Sequence, residues 1–183
     1  MHSLEGGMVT TPDAEVARTL RLLRNQGMEQ RYANEIVGAN VRLTDVAAAV
    51  GRRQLTQLRT WTAQRQANAA ALSAGITSVT TPVVPEGYTH VYHQYTVRVP
   101  EVRDALQAAL TERGIGSATY YPTPIHRLKP FLTEDGVVDP RWDLPETERA
   151  AKEALSLPVF PTLSDDDIAR IIDGVNSAMA ELA

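Results

Sequence analysis

The sequence contains no cysteine, so disulfides and thiolate metal sites are excluded. The absence matches a reducing compartment, and the expected location is the cytoplasm. No apolar run approaches the eighteen or so residues that a membrane-spanning helix requires, and no membrane association is expected. The opening residues, MHSLEGGMVTTPDAE, have neither a basic region nor an apolar core, which excludes a signal peptide there. Lysine is nearly missing: Lys129 and Lys152 are the only two. Lys129 reads as a loop residue in a Pro-rich turn, Lys152 as the solvated side of a short helix. The Gly-x-Ser-x-Gly elbow, the Walker phosphate loop and His-Glu-x-x-His are all absent. The four histidines, His2, His90, His93 and His126, are too scattered for a metal site.

What is present describes a folded domain. The chain has 183 residues, 43% of them hydrophobic and 22% charged, enough for one substantial core or two small lobes. A net charge of −4 argues against a surface built to neutralise nucleic-acid phosphates.

Thr11-Pro12-Asp13 reads as a helix start, with Thr11 as the cap and Val16, Leu20 and Leu23 as one buried face over residues 12–24. Arg18 and Arg21 read as solvated, and Gly27 supplies the positive φ that closes the helix. Residues 28–42 have no periodicity, and a connection of that length points to a functional loop. One long helix is expected from Asp45 to Leu72, weakest at Gly51 and ended by Gly75. A short edge strand follows at 76–81. Alternation over His90–Val99 predicts a strand, and Val102, Leu106, Ala109 and Leu110 stripe the next helix. Residues 115–121 read as another strand and 122–145, rich in proline, as irregular. A helix over 146–154, a strand over 155–160 and a last helix capped by Ser164 complete an α/β pattern. Ile168, Ile171, Ile172, Val175, Met179 and Leu182 form the apolar stripe of that helix.

Residues 38–61, GANVRLTDVAAAVGRRQLTQLRTW, are the organising stretch. A polar loop presents Asn40 and Arg42 immediately ahead of an Ala-rich helix capped by Thr44 and Asp45. The plain reading is a loop and a core helix. A loop that delivers an amide and a guanidinium is also suited to holding an anion.

Six motifs carry a resemblance when taken in order. They are Glu5-Gly6-Gly7-Met8-Val9-Thr10-Thr11, Leu23-Arg24-Asn25-Gln26-Gly27 and Gly38-x-Asn40-x-Arg42-Leu43-Thr44-Asp45-x-x-Ala48-Ala49. Then come Tyr92-His93-Gln94-Tyr95-x-Val97-Arg98-Val99, Gly114-Ile115-Gly116-x-x-x-Tyr120-Tyr121-Pro122 and Leu155-Ser156-Leu157-Pro158-Val159-x-Pro161. Together the sequence resembles the DegT/DnrJ-type sugar aminotransferases, pyridoxal-phosphate enzymes of the aspartate-aminotransferase fold. The resemblance implies an α/β fold: the C-terminal portion of a fold-type-I transferase. Residues 1–60 would hold the tail of the large cofactor-binding domain and the start of the connecting helix, and 61–183 the small domain.

In that family a Lys holds the cofactor as a Schiff base and moves protons at the substrate carbon. It precedes the Glu-Gly-Gly-Met motif in a Thr-Lys-Asn-like context that these residues do not include, so no catalytic residue is assigned. Leu4 also departs from the family's usual Gly. The resemblance implies that Asn40, with Arg42 beside it, reaches the pyridoxal phosphate bound by a neighbouring subunit, and that Tyr121 and His126 face a nucleotide-sugar substrate. The expected partner is an N-terminal half, or a second subunit, that carries the Lys, in a homo- or hetero-oligomer.

Three readings stand at this point. The chain is half of a sugar aminotransferase, inactive alone; or a non-catalytic remnant that serves as a dimerisation or small-molecule-binding module; or an unrelated α/β regulatory domain. The first also predicts that helices 12–24 and 45–72 expose an apolar patch, which favours association.

Overall fold

The computed structural model describes residues 2–183. The chain divides into two units, Met1–Arg59 and Thr60–Ala183.

In the first unit, helix α1 (Ala14–Arg24) starts two residues later than Thr11 would place it. Asp13 is the cap, because its carboxylate reaches two free amides of the first turn, those of Glu15 at 2.8 Å and Val16 at 3.1 Å. Thr11 instead accepts from the Asp13 amide. The aperiodic stretch after α1 contains a small antiparallel hairpin, β1 (Met28–Gln30) and β2 (Ala33–Asn34), which its polar sequence did not announce. Arg18 braces that hairpin region rather than facing solvent alone: its guanidinium binds Glu29 at 3.0 Å and Glu35 at 2.6 Å. Leu22 is the buried residue of α1, whereas Val16 and Leu23 remain exposed.

The single long helix expected over Asp45–Leu72 is two helices, α2 (Asp45–Leu55) and α3 (Leu58–Gly75). Thr44 caps α2, accepting from the Ala47 amide at 3.2 Å. The break falls at Thr56 and Gln57, not at Gly51. There the Thr56 hydroxyl donates to the Arg53 carbonyl at 2.8 Å, and the Gln57 amide bonds the Gln54 carbonyl three residues back. A β-branched residue bonding back into the preceding turn competes with continuation of the helix. The apolar side of α2 is open, with Val46 69% exposed and Val50 and Leu55 also at the surface. A wide, mainly apolar groove of about 1030 Å³ runs along this unit between Gly7–Thr11, the Leu20–Leu23 side of α1 and Val37–Val41.

The second unit has one core. Strands β3 (Tyr95–Arg98) and β4 (Ala154–Leu157) pair antiparallel, with Tyr95 opposite Leu157 and Val97 opposite Leu155. Helices α3, α4 (Arg103–Glu112) and α6 (Asp165–Leu182) supply Leu72, Leu106, Leu110, Ile171 and Val175 to the buried cluster. Ser164 opens α6 through a capping box with Asp167. Helix α5 (Pro145–Glu153) runs directly into β4.

The strands are shorter than alternation predicted. Residues 90–94 leave the ladder because the Tyr92 amide turns back to His90 Nδ1 at 2.8 Å and Tyr92 takes φ +47°. Arg65 then fixes the turn by donating to the Tyr92 carbonyl. Residues 76–81 and 115–121 contribute one bridge each, Thr80 with Arg98 and Ala118 with Ser156. The Pro-rich segment expected to be irregular over 122–145 is so up to Leu144, apart from two single turns, Ile125–Arg127 and Lys129–Phe131, and a bridge between Leu132 and Val138; Pro145 already opens α5. No described helix is long and apolar enough to cross a membrane.

Candidate functional site

The Asn40 loop exists because α1 needs it. A helix ends with carbonyls that lack intrahelical partners. Leu22 is served by the amides of Asn25 and Gly27, Leu23 by Ala39 at 2.8 Å, and Arg24 by Val41 at 3.0 Å. The amides of Ala39 and Val41 therefore point at the helix end, and Asn40 lies between them, bridged to Asn25. Two glycines permit this approach. Gly27 has φ +76°, and a Cβ there would stand 1.7 Å from the Ile36 carbonyl oxygen. A Cβ on Gly38 would lie 2.4 Å from the Gly27 nitrogen. The Asn34 side chain adds a bond to the Gln26 carbonyl.

With the backbone so held, Asn40 and Arg42 both remain exposed. Among the described residues Arg42 forms no ion pair. An amide donor and a guanidinium on a fixed loop form a donor set that a phosphate can take.

Tyr121 and His126 belong to the second unit and differ in setting. Tyr121 is 78% exposed, and its ring meets that of Tyr120 edge-on. The two tyrosines form a ridge between two clefts. One, of about 550 Å³, has His93, Gln94, Ser117 and Ser156 in its walls; the other, of about 240 Å³, is closed by Thr123–Ile125 and α5. His126 is 7% exposed, and its Nε2 meets Glu148 Oε1 at 2.7 Å. The same oxygen accepts from Arg127 Nε. Arg127 first, and His126 after it, hold the Glu148 carboxyl below the usual carboxylate range, against the opposing effect of desolvation.

Glu148 was not singled out by sequence. It lies 22 residues from His126, a separation with no local spacing rule to reveal it. Lys129 and Lys152 are exposed, one in a single turn and the other on α5. A lysine that attacks a carbonyl is usually activated by a desolvating or cationic pocket, and neither position offers an enclosure of that kind.

Comparison with known proteins identifies this architecture. Residues 1–176 match the family model described as the DegT/DnrJ/EryC1/StrS aminotransferase family. The chain is 42% identical over 174 residues to the dTDP-3-amino-3,4,6-trideoxy-alpha-D-glucose transaminase of Streptomyces venezuelae, covering 93% of this chain and 45% of that protein. It is 39% identical over 176 residues to a protein of Geobacillus stearothermophilus called a pleiotropic regulatory protein, covering 93% and 46%. It superimposes on the crystal structure of S. venezuelae DesV in complex with a ketimine intermediate with a TM-score of 0.85 and 37% identity, covering 92% of this chain and 45% of that one. The chain thus spans about half the length of the relatives it matches. The fold is α/β, the C-terminal portion of the pyridoxal-phosphate-dependent sugar aminotransferase fold. By its match over residues 1–176, the chain belongs to the DegT/DnrJ/EryC1/StrS aminotransferase family.

Proposed function

We propose that these residues form the C-terminal part of a pyridoxal-phosphate-dependent nucleotide-sugar aminotransferase, which moves an amino group from an amino acid to a 3-keto or 4-keto deoxysugar nucleotide. Met1–Arg59 would complete the large cofactor-binding domain, and Thr60–Ala183 would be the small domain. The observation that carries the reading is the Asn40 loop: two donors held out to solvent by a backbone that Gly27 and Gly38 alone can follow. The nucleotide-sugar substrate is supported by the name of the S. venezuelae relative.

Bound pyridoxal phosphate supplies an electron sink for the substrate carbon from which a proton is removed. In this reading the Asn40 amide donates to its phosphate, in a site shared with a second subunit. Arg42 adds a positive charge beside it. Tyr121 presents its ring and hydroxyl to the nucleotide sugar, and His126 shapes the segment that carries Tyr121. The lysine that holds the cofactor is supplied by polypeptide other than these 183 residues, so that these residues alone are inactive.

The test is to mix the chain with pyridoxal phosphate, with and without a polypeptide carrying the N-terminal part of a family member. The expected result is the absorption band of lysine-bound cofactor, captured by borohydride, only when both are present. An adduct at Lys129 or Lys152 that supports turnover by the chain alone would sink the assignment. The Geobacillus relative is named only for a regulatory role, and a second reading is a non-catalytic module for dimerisation or small-molecule binding. Failure to generate the band with every partner would leave that one standing.

A further inference from the structure

One carboxylate ties together the segment that carries Tyr121. Glu148 Oε1 meets the buried His126 ring at 2.7 Å and also accepts from Arg127 Nε. Both partners lie in the single turn Ile125–Arg127, between Pro124 and Leu128. Tyr120, Tyr121, Thr123 and Pro124, upstream of this turn, and its first residue Ile125 form one wall of the narrow cleft, and Thr147, Ala150 and Ala151 of α5 form the other. Helix α5 is itself fixed, because it leads without a loop into β4, where Leu155 is fully buried.

Upstream, the segment is anchored by the bridge between Ala118 and Ser156 and by Thr119, which accepts from Arg103 and donates to Gln107; beyond Thr119 its backbone has few ties. Pro122 and Pro124 have no amide hydrogen to donate, and the backbone amides of the Ile125–Arg127 turn bond only locally, Arg127 to Pro124 and Leu128 to Ile125. A buried imidazole and a guanidinium sharing a carboxylate are charge-assisted bonds, stronger than neutral ones and directional. The side chain of Glu148 is 22% exposed, so the pair is partly shielded from solvent.

We propose that Glu148 is a positioning residue: by clamping His126 and Arg127 to α5 it fixes Tyr121, and with it the affinity of the site for the nucleotide sugar. This rests on the functional reading above, in which Tyr121 faces that substrate. The clamp acts on the sugar side alone, since the Asn40 loop belongs to the other unit and has its own supports in α1.

The experiment compares wild type, Glu148→Ala, Glu148→Asp and Arg127→Ala in the assembled enzyme, with two readouts. Amide hydrogen exchange over residues 120–128 should quicken roughly tenfold in Glu148→Ala, as local opening becomes easier. The KM for the keto-sugar nucleotide should rise about tenfold, because small misplacements of a substrate-holding group are costly, while the half-reaction with the amino donor keeps its rate. Glu148→Asp should recover part of both. Arg127 is half exposed, so Arg127→Ala should fold normally and show the same direction with smaller size. Unchanged exchange in both Glu148→Ala and Arg127→Ala overturns the clamp. Faster exchange with an unchanged sugar KM, or an equal loss in both half-reactions, overturns the positioning role. A wild-type assembly that never aminates a sugar nucleotide overturns the functional reading instead, and the substrate role of Tyr121 falls with it.

Discussion

Gly38 and Gly27 pack so closely that a Cβ on Gly38 would stand 2.4 Å from the Gly27 nitrogen. It would also stand 2.9 Å from the Leu23 carbonyl oxygen, so the obstacle is backbone on both sides and cannot rotate away. Gly38→Ala should therefore lift the loop off the end of α1 and free the carbonyls of Leu23 and Arg24. The expected cost is about 1–3 kcal/mol, as for other overpacked sites, read from denaturant unfolding. Cofactor affinity of the assembled enzyme should fall with it, since Asn40 moves. Gly38→Ala with unchanged stability and affinity would show that the loop does not depend on this contact.

This pair also marks where sequence reasoning succeeded and where it stopped. The positive φ at Gly27 and the caps at Thr44 and Ser164 were legible, because each rests on a residue type acting within four positions. The core stripe of α6 was legible for the same reason. Thr11 misled because Asp13, two positions on, is the better cap: its carboxylate takes the amides of Glu15 and Val16, while Thr11 is left with that of Asp13. The break at Thr56 was hidden because Gly51, with the poorer helix propensity, is tolerated within α2. The contact between Gly38 and Gly27, the brace from Arg18 to Glu29 and Glu35, and the Glu148 clamp all join residues far apart in sequence, and no periodicity encodes them. Asn40 and Arg42 were singled out by motif order, and the structure adds that both are exposed.

Val46 and Val50 lie one turn apart on α2, and both face outward, as do Met8, Val9 and Val37. Exposed apolar groups in this density favour association. We predict a mass above that of the 20.0 kDa monomer in light scattering at micromolar concentration. Val46→Lys combined with Val50→Lys should shift the distribution toward monomer. A monodisperse wild-type monomer would count against the prediction.

Tyr95, the first residue of β3, is fully buried, and its hydroxyl meets that of Ser73 on α3 at 2.8 Å. Tyr95→Phe keeps the ring and leaves the Ser73 hydroxyl without this partner. The expected loss is about 0.5–1.5 kcal/mol, the net worth of one such bond. Tyr95→Ala also removes the ring and should cost about 3–5 kcal/mol through the cavity it leaves. Both are measured by urea unfolding, and a Phe variant as damaging as Ala would mean that the hydroxyl, not the ring, dominates.

Asp139 is the acid most strongly affected by a partner whose bonds are local. Arg141 donates to it from both its side chain and its backbone, pulling the Asp139 pKa from 3.8 down to about 2. A carboxyl whose folded pKa lies below its unfolded value stabilises the fold fully above the unfolded value. That contribution is lost as pH falls through the folded one. The turn from Asp139 to Arg141 should therefore hold at pH 5 and loosen between about pH 4 and pH 2, a window set by these two values. The Asp139 carboxyl carbon, followed by NMR, should titrate near the lower end of that window. Arg141→Ala should return it to the ordinary range. An Asp139 that titrates at its ordinary value in the unsubstituted chain would mean that the paired geometry is not populated in solution.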